Sequence, residues 1–351
     1  MIGRYVGHLN QLFKMHFENH HYSLCKLISK IHMLSIMLVC LSFFLQLNVS
    51  AQVMDSLMGG QESYMKAWQL SACTVHKDKI YMAAEKCGKL LVANFDGHLT
   101  GVIDLPFEKL NLISKDIELE GLAIYKEWLL LADESASYHQ LYSYHLNEKR
   151  FSIINASDVL INDTGYFGIE GIAVNEKENI CYVLKERNAD LQSEIRQFKI
   201  SDSAGMIKLR YLKTTCVQHP GLSVPDRNIR YADFCFDSLH NRLMLIKSYF
   251  AGKKNPGSYY GIDTIVLARN GLISRNTIDN RKNDLCLYNL SKQVFELAQL
   301  KLPGNKSYST NLEGICLYNN SIYLVSDNSQ SRAGCSEASQ ERTLLLRMDL
   351  R

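Results

Sequence analysis

The stretch Glu120-Gly121-Leu122-Ala123-Ile124-Tyr125-Lys126-Glu127-Trp128-Leu129-Leu130-Leu131-Ala132-Asp133-Glu134 reads as two apolar strands joined by a charged two-residue turn. It recurs along the chain. Glu170-Gly171-Ile172-Ala173-Val174 leads through a longer turn into Cys181-Tyr182-Val183-Leu184-Lys185-Glu186, and Glu313-Gly314-Ile315-Cys316-Leu317 leads into Ile322-Tyr323-Leu324-Val325-Ser326-Asp327. Two degenerate units complete the set: Ser71-Ala72-Cys73-Thr74-Val75 with Ile80 to Glu85, and Asp233-Phe234-Cys235-Phe236 with Leu243 to Lys247. Ser71 to Glu85, Glu120 to Glu134, Asp233 to Lys247 and Glu313 to Asp327 each span 14 positions, and Glu170 to Glu186 spans 16. A near-constant register of this kind marks an internal repeat.

Each unit continues into further strand-like runs, such as Leu141-Tyr142-Ser143-Tyr144-His145-Leu146 and Arg150-Phe151-Ser152-Ile153-Ile154. Four strands per unit is the pattern of a β-propeller blade. The chain is therefore expected to be an all-β propeller of five antiparallel four-stranded blades around a channel. A sixth blade stays open, because Tyr259 to Ile273 reads either as an extra hairpin or as part of another unit. Residues Thr343 to Leu350 make only a third strand for the last unit, so a strand within Val53 to Trp68 is expected to close the ring and remove its exposed edges. A two-sheet sandwich is the competing arrangement.

With 46% hydrophobic and 21% charged residues, the 351-residue chain is globular. Its formal charge of +3 resides in residues 1 to 51, where Arg4, Lys14, Lys26 and Lys30 face only Glu18; the remainder is balanced, which gives no electrostatic basis for binding nucleic acid. Met33 to Leu47 is an uncharged apolar run preceded by Lys26 and Lys30 and followed by Val49 and Ala51, small enough for a cut before Gln52. This is the layout of a signal peptide, shorter than the roughly 20 apolar residues of a membrane span. Residues 1–51 are read as leader and 52–351 as one propeller domain, monomeric, exported to the periplasm or beyond. In that compartment disulfides persist. No CxxC, HExxH, phosphate loop or GxSxG elbow is present, so the commonest zinc, nucleotide and serine-hydrolase chemistries lose their sequence support.

In a propeller blade the start of the innermost strand and the end of the next lie at the same face. The repeat therefore sets Ser71, Glu120, Glu170, Asp233 and Glu313 around one channel mouth, with Glu85, Glu134, Glu186, Lys247 and Asp327 as a second ring. Carboxylates crowded in this way raise one another's pKa unless neutralised. Ca²⁺ held by Glu120, Glu170, Glu313 and Asp233 would do so with the oxygen ligands it prefers. Lys86, Lys185, Arg187, Arg230, Lys247 and Arg332 fall near the same face, as anion-binding groups or as ion-pair partners; a structural clasp to the next blade is the competing role for each Glu. His139, His145 and His219 are read as solvated, the tyrosines (Tyr142, Tyr259 and Tyr260 among them) as cross-strand packing, and Cys73, Cys235 and Cys316 as small buried apolar groups. No catalytic residue is assigned.

The EG[IL][AC] motif, a turn and an aliphatic strand ending in an acid resembles the secreted propellers called phytase-like, or "esterase-like activity of phytase", and the SdiA-regulated family. The resemblance spans residues 70 to 350 as a repeat pattern. It implies an envelope propeller of five or six blades, in some members with calcium in an acidic channel and hydrolysis of esters or phosphoesters. Glu120, Glu170 and Glu313 match it; Asp233 lacks the glycine and Ser71 lacks the acid. The expected ligand is thus a small ester or phosphoester, or, for a non-catalytic propeller, an envelope glycan, peptide or protein. Closing the ring makes the first and last blades neighbours, so Cys87 and Cys335, in corresponding loops, are expected to form a disulfide across the seam, with two unpaired thiols or a pairing with another cysteine such as Cys216 as the alternatives. N-terminal sequencing of exported protein should start at or near Gln52; a start before residue 33 contradicts the leader.

Overall fold

The computed structural model describes residues 51–53, 68–110, 117–135, 139–156, 168–217, 229–250, 258–273, 307–308, 311–327 and 341–349. The leader through residue 50 and the Cys335 loop lie outside them. After a short β1 (Ala51–Val53), blade one comprises β2 (Leu70–His76), β3 (Lys79–Ala84), β4 (Lys89–Ala93) and β5 (Leu99–Asp104). Blade two is β6 (Leu119–Tyr125), β7 (Trp128–Asp133), β8 (Gln140–His145) and β9 (Arg150–Ile154). Blade three is β10 (Ile169–Asn175), β11 (Ile180–Lys185), β12 (Ser193–Ser203) and β13 (Met206–Val217). Blade four shows β14 (Ile229–Asp237), β15 (Arg242–Phe250) and β16 (Ser258–Val266). A two-residue parallel pair joins β17 (Ser307–Tyr308) to β20 (Glu341–Arg342), and blade five is β18 (Asn311–Tyr318), β19 (Ser321–Asp327), β21 (Leu345–Asp349) and β1.

The innermost strands β2, β6, β10, β14 and β18 each pack on the next, and β18 packs back on β2, so five blades close the ring. This is the expected β-propeller, and two details differ from the sequence reading. The closing strand is Ala51–Val53, paired with β21 through Ala51 to Met348, Gln52 to Arg347 and Val53 to Leu346, rather than a strand between Val53 and Trp68. Three residues suffice, because the edge of β21 needs only main-chain partners. Tyr259 to Ile273 is neither an extra hairpin nor a sixth blade: β16 pairs with β15 along its whole length, and a Leu267–Ile273 bridge closes the turn at Gly271 behind it. Among the described residues, no helix is long and apolar enough to cross a membrane.

Apolar side chains on both faces of each blade fill the spaces between blades. Trp128, Tyr125 and Phe198 pack between blades two and three, and Phe107 meets Tyr142 and Phe151 edge-on and Leu90 and Leu122 between blades one and two. Full burial of each such group contributes about 1.5–3 kcal/mol. The inner hairpins differ in their turns. Blades one, two and five use two residues, Lys77-Asp78, Lys126-Glu127 and Asn319-Asn320, whereas blades three and four use four, residues 176–179 and 238–241. Asn319 and Asn320 both take positive φ (46° and 67°), the requirement of a type I′ hairpin, which asparagine tolerates best after glycine.

Every inner hairpin carries one bulge, at Ser71, Glu120, Glu170, Ala232 and Glu313. A bulged residue is released from the ladder and can be re-aimed. The residue after it lies where neighbouring inner strands pass most closely. A Cβ on Gly121 would stand 2.8 Å from the Ile172 amide nitrogen and 2.9 Å from Gly171 Cα, and one on Gly314 would stand 2.8 Å from Ala72 Cα. The Glu-Gly pair thus has a two-part cause: the acid is set free by the bulge and the glycine lets the next blade approach. Gly121→Ala should destabilise the fold by about 1–3 kcal/mol in urea unfolding, since backbone must move to admit the methyl group. Gly101→Ala, on exposed β5 with nothing within 4 Å, should change stability by no more than about 1 kcal/mol. Equal effects would contradict the close-crossing account.

Candidate functional site at the acidic channel mouth

The bulges correct the register of blade four. Asp233 pairs with Ile246 as Gly121 pairs with Ala132 and Gly171 with Leu184, so Asp233 occupies the glycine position and Ala232 the acid position. The residue matching Glu85, Glu134, Glu186 and Asp327 is then Ser248, facing Arg230, not Lys247. From Ala232 to Ser248 the spacing is 16, as in blade three, because both blades have four-residue turns. Lys247 instead donates to Asp263 (3.2 Å), which also accepts from the Tyr231 hydroxyl (2.6 Å).

The bulge ring is thus Ser71, Glu120, Glu170, Ala232 and Glu313, and the second ring Glu85, Glu134, Glu186, Ser248 and Asp327. Glu118 and Arg230, at the entries to β6 and β14, complete the mouth. Main chain fixes the second ring: the amides of Glu85, Glu134 and Glu186 donate to the carbonyls of Gln69, Glu118 and Gly168 (2.8, 2.8 and 3.0 Å). Blade four brings no carboxylate to either ring and supplies the cation. The Arg230 guanidinium donates to Glu313 (2.8 Å) and to the Ser248 hydroxyl (3.4 Å), while Asn311 donates to the same Glu313 oxygen at 2.7 Å. Ser71 takes a clasp role, donating its hydroxyl to the Leu119 carbonyl of the next blade. Glu134 also bridges blades, accepting from the Gly168 amide at 2.9 Å. A Cβ on Gly168 would lie 1.9 Å from Glu134 Cγ, so glycine there admits the acid.

Three cations of the mouth are engaged. Lys86 pairs with Glu85 (2.7 Å) and Glu118 (3.2 Å), Arg187 with Glu186 (3.5 Å) and Arg230 with Glu313 (2.8 Å). Among the described residues Glu120, Glu134 and Glu170 have no ion pair, yet all are largely shielded from solvent. Burial, then the charges of Glu85, Glu313, Glu170 and Glu134, raises the Glu120 carboxyl well above the usual range. Burial and the neighbouring Glu134 do the same to Glu170, with Arg230 partly opposing them. Glu134 is pushed up to about 8 by burial and by Glu186. Arg230 is raised in turn, chiefly by Glu313. At neutral pH these carboxyls share protons instead of all bearing charge.

Asp233 stands apart from the two rings. Its Oδ2 accepts the Ile315 amide of blade five (2.9 Å), while Oδ1 sits 2.5 Å from where a Gly171 Cβ would be and has no hydrogen-bond partner. Burial raises its pKa strongly, with the Ile315 and Phe234 amides opposing the shift. Asp233 therefore links blades three to five from a buried position. Ca²⁺ needs six to eight oxygens at about 2.3–2.6 Å. Among the described residues no three His, Cys, Asp or Glu side chains converge in that way. Glu313 is further committed to Arg230, so Glu120, Glu170, Glu313 and Asp233 do not fit a calcium sphere as arranged. Lys185 precedes Glu186 at the position that Lys247 holds in blade four, and Arg332 and His219 lie outside the described residues. His145 packs edge-on against Trp128, His139 is buried, and the Tyr142 hydroxyl donates to Asp133 inside the blade stack. Cys87 is disulfide-bonded and Cys216 is free, so the partner of Cys87 lies outside the described residues, where Cys335 also falls.

No protein-family model and no curated protein sequence matches the chain. Solved structures resemble it in fold. The catalytic domain of the GH62 α-L-arabinofuranosidase of Coprinopsis cinerea aligns over 86% of this chain and 97% of its own, at 9% identity and TM-score 0.48. The glutaminyl cyclase of Myxococcus xanthus aligns over 82% and 93%, at 11% identity and TM-score 0.43. A duf4221 family member from Bacteroides vulgatus aligns over 77% and 74%, at 12% identity and TM-score 0.39.

The raised carboxyls make stability pH-dependent. A Glu whose folded pKa lies above its unfolded value holds a proton that the unfolded chain has already lost, so its contribution is complete below about 4.5 and disappears as pH rises through the folded value. For Glu134 the window runs from about 4.5 to about 8. The melting temperature should fall from pH 5 to pH 8, and Glu134→Gln should flatten that fall. A melting temperature that rises across this range would contradict the assignment.

Proposed function

We propose that the acidic mouth is the working site of an exported, monomeric propeller hydrolase that acts on ester bonds, with Glu134 as the proton donor. The observation that carries this reading is the pairing of two adjacent glutamates with different surroundings. Glu134 has no cation partner and keeps its proton to about pH 8, while Glu186 is paired with Arg187. A protonated carboxyl beside an ion-paired one offers a donor and an acceptor for proton transfer. In the reaction, Glu186 accepts a proton from water as its oxygen adds to the ester carbonyl, and Glu134 gives its proton to the departing alkoxide oxygen. Glu120 and Glu170, which have no ion pair among the described residues, form hydrogen bonds with the substrate.

Ester bonds are favoured over phosphoesters because, among the described residues, Lys86, Arg187 and Arg230 are each tied to a mouth glutamate instead of being free to hold a phosphate. The resemblance to phytase-like propellers supports hydrolysis of this general kind. A second reading, a non-catalytic envelope propeller that binds a glycan, peptide or protein, has its own observation: Ser71 and Glu134 bridge to the next blade, as structural clasps would.

The test uses the chain from Gln52 with p-nitrophenyl acetate and p-nitrophenyl phosphate, each with millimolar Ca²⁺ or with chelator. Ester turnover should be independent of Ca²⁺, and Glu134→Gln should lower it by about 10²-fold or more, the usual contribution of a general acid. Phosphate turnover should be absent. Unchanged ester turnover in Glu134→Gln would refute the proton-donor role. Turnover of the phosphoester only with Ca²⁺, accompanied by a rise in melting temperature, would replace this reading with the calcium-dependent one. No turnover of either ester, with retention of a glycan or peptide, would favour the binding propeller.

A further inference from the structure

We propose that Cys73 and Cys316 form a disulfide that locks the ring at its inner seam. The two residues belong to β2 and β18, the innermost strands of the first and last blades, which meet only because the propeller closes. Their sulfurs lie 3.2 Å apart, and the side chains are 1% and 4% exposed. A disulfide has an S–S distance of about 2.05 Å and needs Cα atoms within about 7 Å. Here the backbones already converge: the Cβ that Gly314 lacks would fall 2.8 Å from Ala72 Cα, with Cys73 next after Ala72 and Cys316 two residues beyond Gly314. Closing the remaining gap between the sulfurs requires a shift of about 1.2 Å, within reach of small side-chain rotations.

The chemistry is thiol–disulfide exchange. One thiolate attacks a disulfide oxidant, such as oxidised glutathione or a protein dithiol oxidase, forming a mixed disulfide and releasing one thiol. The second thiolate then displaces the other half, so that the two cysteines lose two protons and two electrons and the oxidant is reduced to two thiols. Burial raises the Cys73 thiol well above its ordinary value. The exchange is therefore fastest before the seam closes, while both thiols are wet. The oxidising compartment is the one that the expected export supplies, but the bond itself depends only on the seam geometry. Cys235, on β14 and close enough to both thiols to influence them electrostatically, is the competing partner.

Unfolded chain starting at Gln52, fully reduced, is refolded in a reduced and oxidised glutathione buffer, alkylated under denaturing conditions and mapped by mass spectrometry. The expected result is a linked Cys73–Cys316 peptide, lighter by two hydrogens than the sum of its reduced halves. Alkylation of both cysteines as separate peptides, or Cys316 linked to Cys235, would overturn the proposal. The second measurement is the fall in melting temperature that reductant causes, which also reads out the Cys87 disulfide. It should be larger in the wild type than in C73A/C316A by at least about 4 °C. Equal falls would overturn the proposal even where the linked peptide is poorly recovered.

Discussion

Inner strands must pass one another closely, at the β6–β10 and β18–β2 crossings with almost no room between their backbones, and the rest of the molecule follows from that packing. Gly121 meets Gly171 and Ile172, Gly171 meets the carboxyl of Asp233, and Gly314 meets Ala72. No side chain fits between the backbones at the Gly121 and Gly314 crossings, whereas the Asp233 carboxyl occupies the space beside Gly171. A one-residue bulge immediately before each crossing releases a side chain from the sheet, and in three of the five blades that side chain is glutamate. The requirement that closes the ring therefore also delivers carboxyl groups to one mouth of the channel. Fold and candidate site are two consequences of a single local geometry.

The electrostatic result is a group of carboxyls that water does not reach freely and that too few cations serve. Blade four is the exception that makes the arrangement tolerable. It contributes Ala232 and Ser248 where most other blades place acids, and Arg230 at its entry, whose guanidinium draws on the charge of Glu313, Glu170, Glu186 and Glu120. Among the described residues Glu120, Glu134 and Glu170 remain without a cation, and protons neutralise them in part. Such a site opposes stability at neutral pH, a cost that natural proteins accept mainly at functional sites.

The propeller was legible in the sequence because its repeat unit is short and its hairpin register nearly constant. The Glu-Gly pairs of blades two, three and five, the two-residue turns and the aliphatic second strands identified their strands correctly. Blade four was read one residue out of phase, and the reason is physical. Its four-residue turn lengthens the hairpin by two, but Asp233, standing in the glycine position, imitates the acid of the other units and restores an apparent spacing of 14. The bulge that distinguishes Ala232 from Asp233 is a backbone feature with no residue signature of its own. The concentration of acid at one face was likewise visible in the repeat, whereas its compensation was not. Whether Lys86, Arg187 or Arg230 binds a ligand or a neighbouring glutamate depends on side-chain reach across blades. Gly168, which admits Glu134, lies outside every repeat motif.

The central claim is that ring closure holds carboxyl groups at the mouth in a shielded, under-compensated state. The most direct measurement is a carbon-13 NMR titration of the glutamate side-chain carboxyls in the folded chain. A set of resonances still protonated at pH 7 is expected, including one that titrates at about 8 and is absent in Glu134→Gln. Titration of every glutamate below about pH 5, as in exposed peptides, would contradict the account.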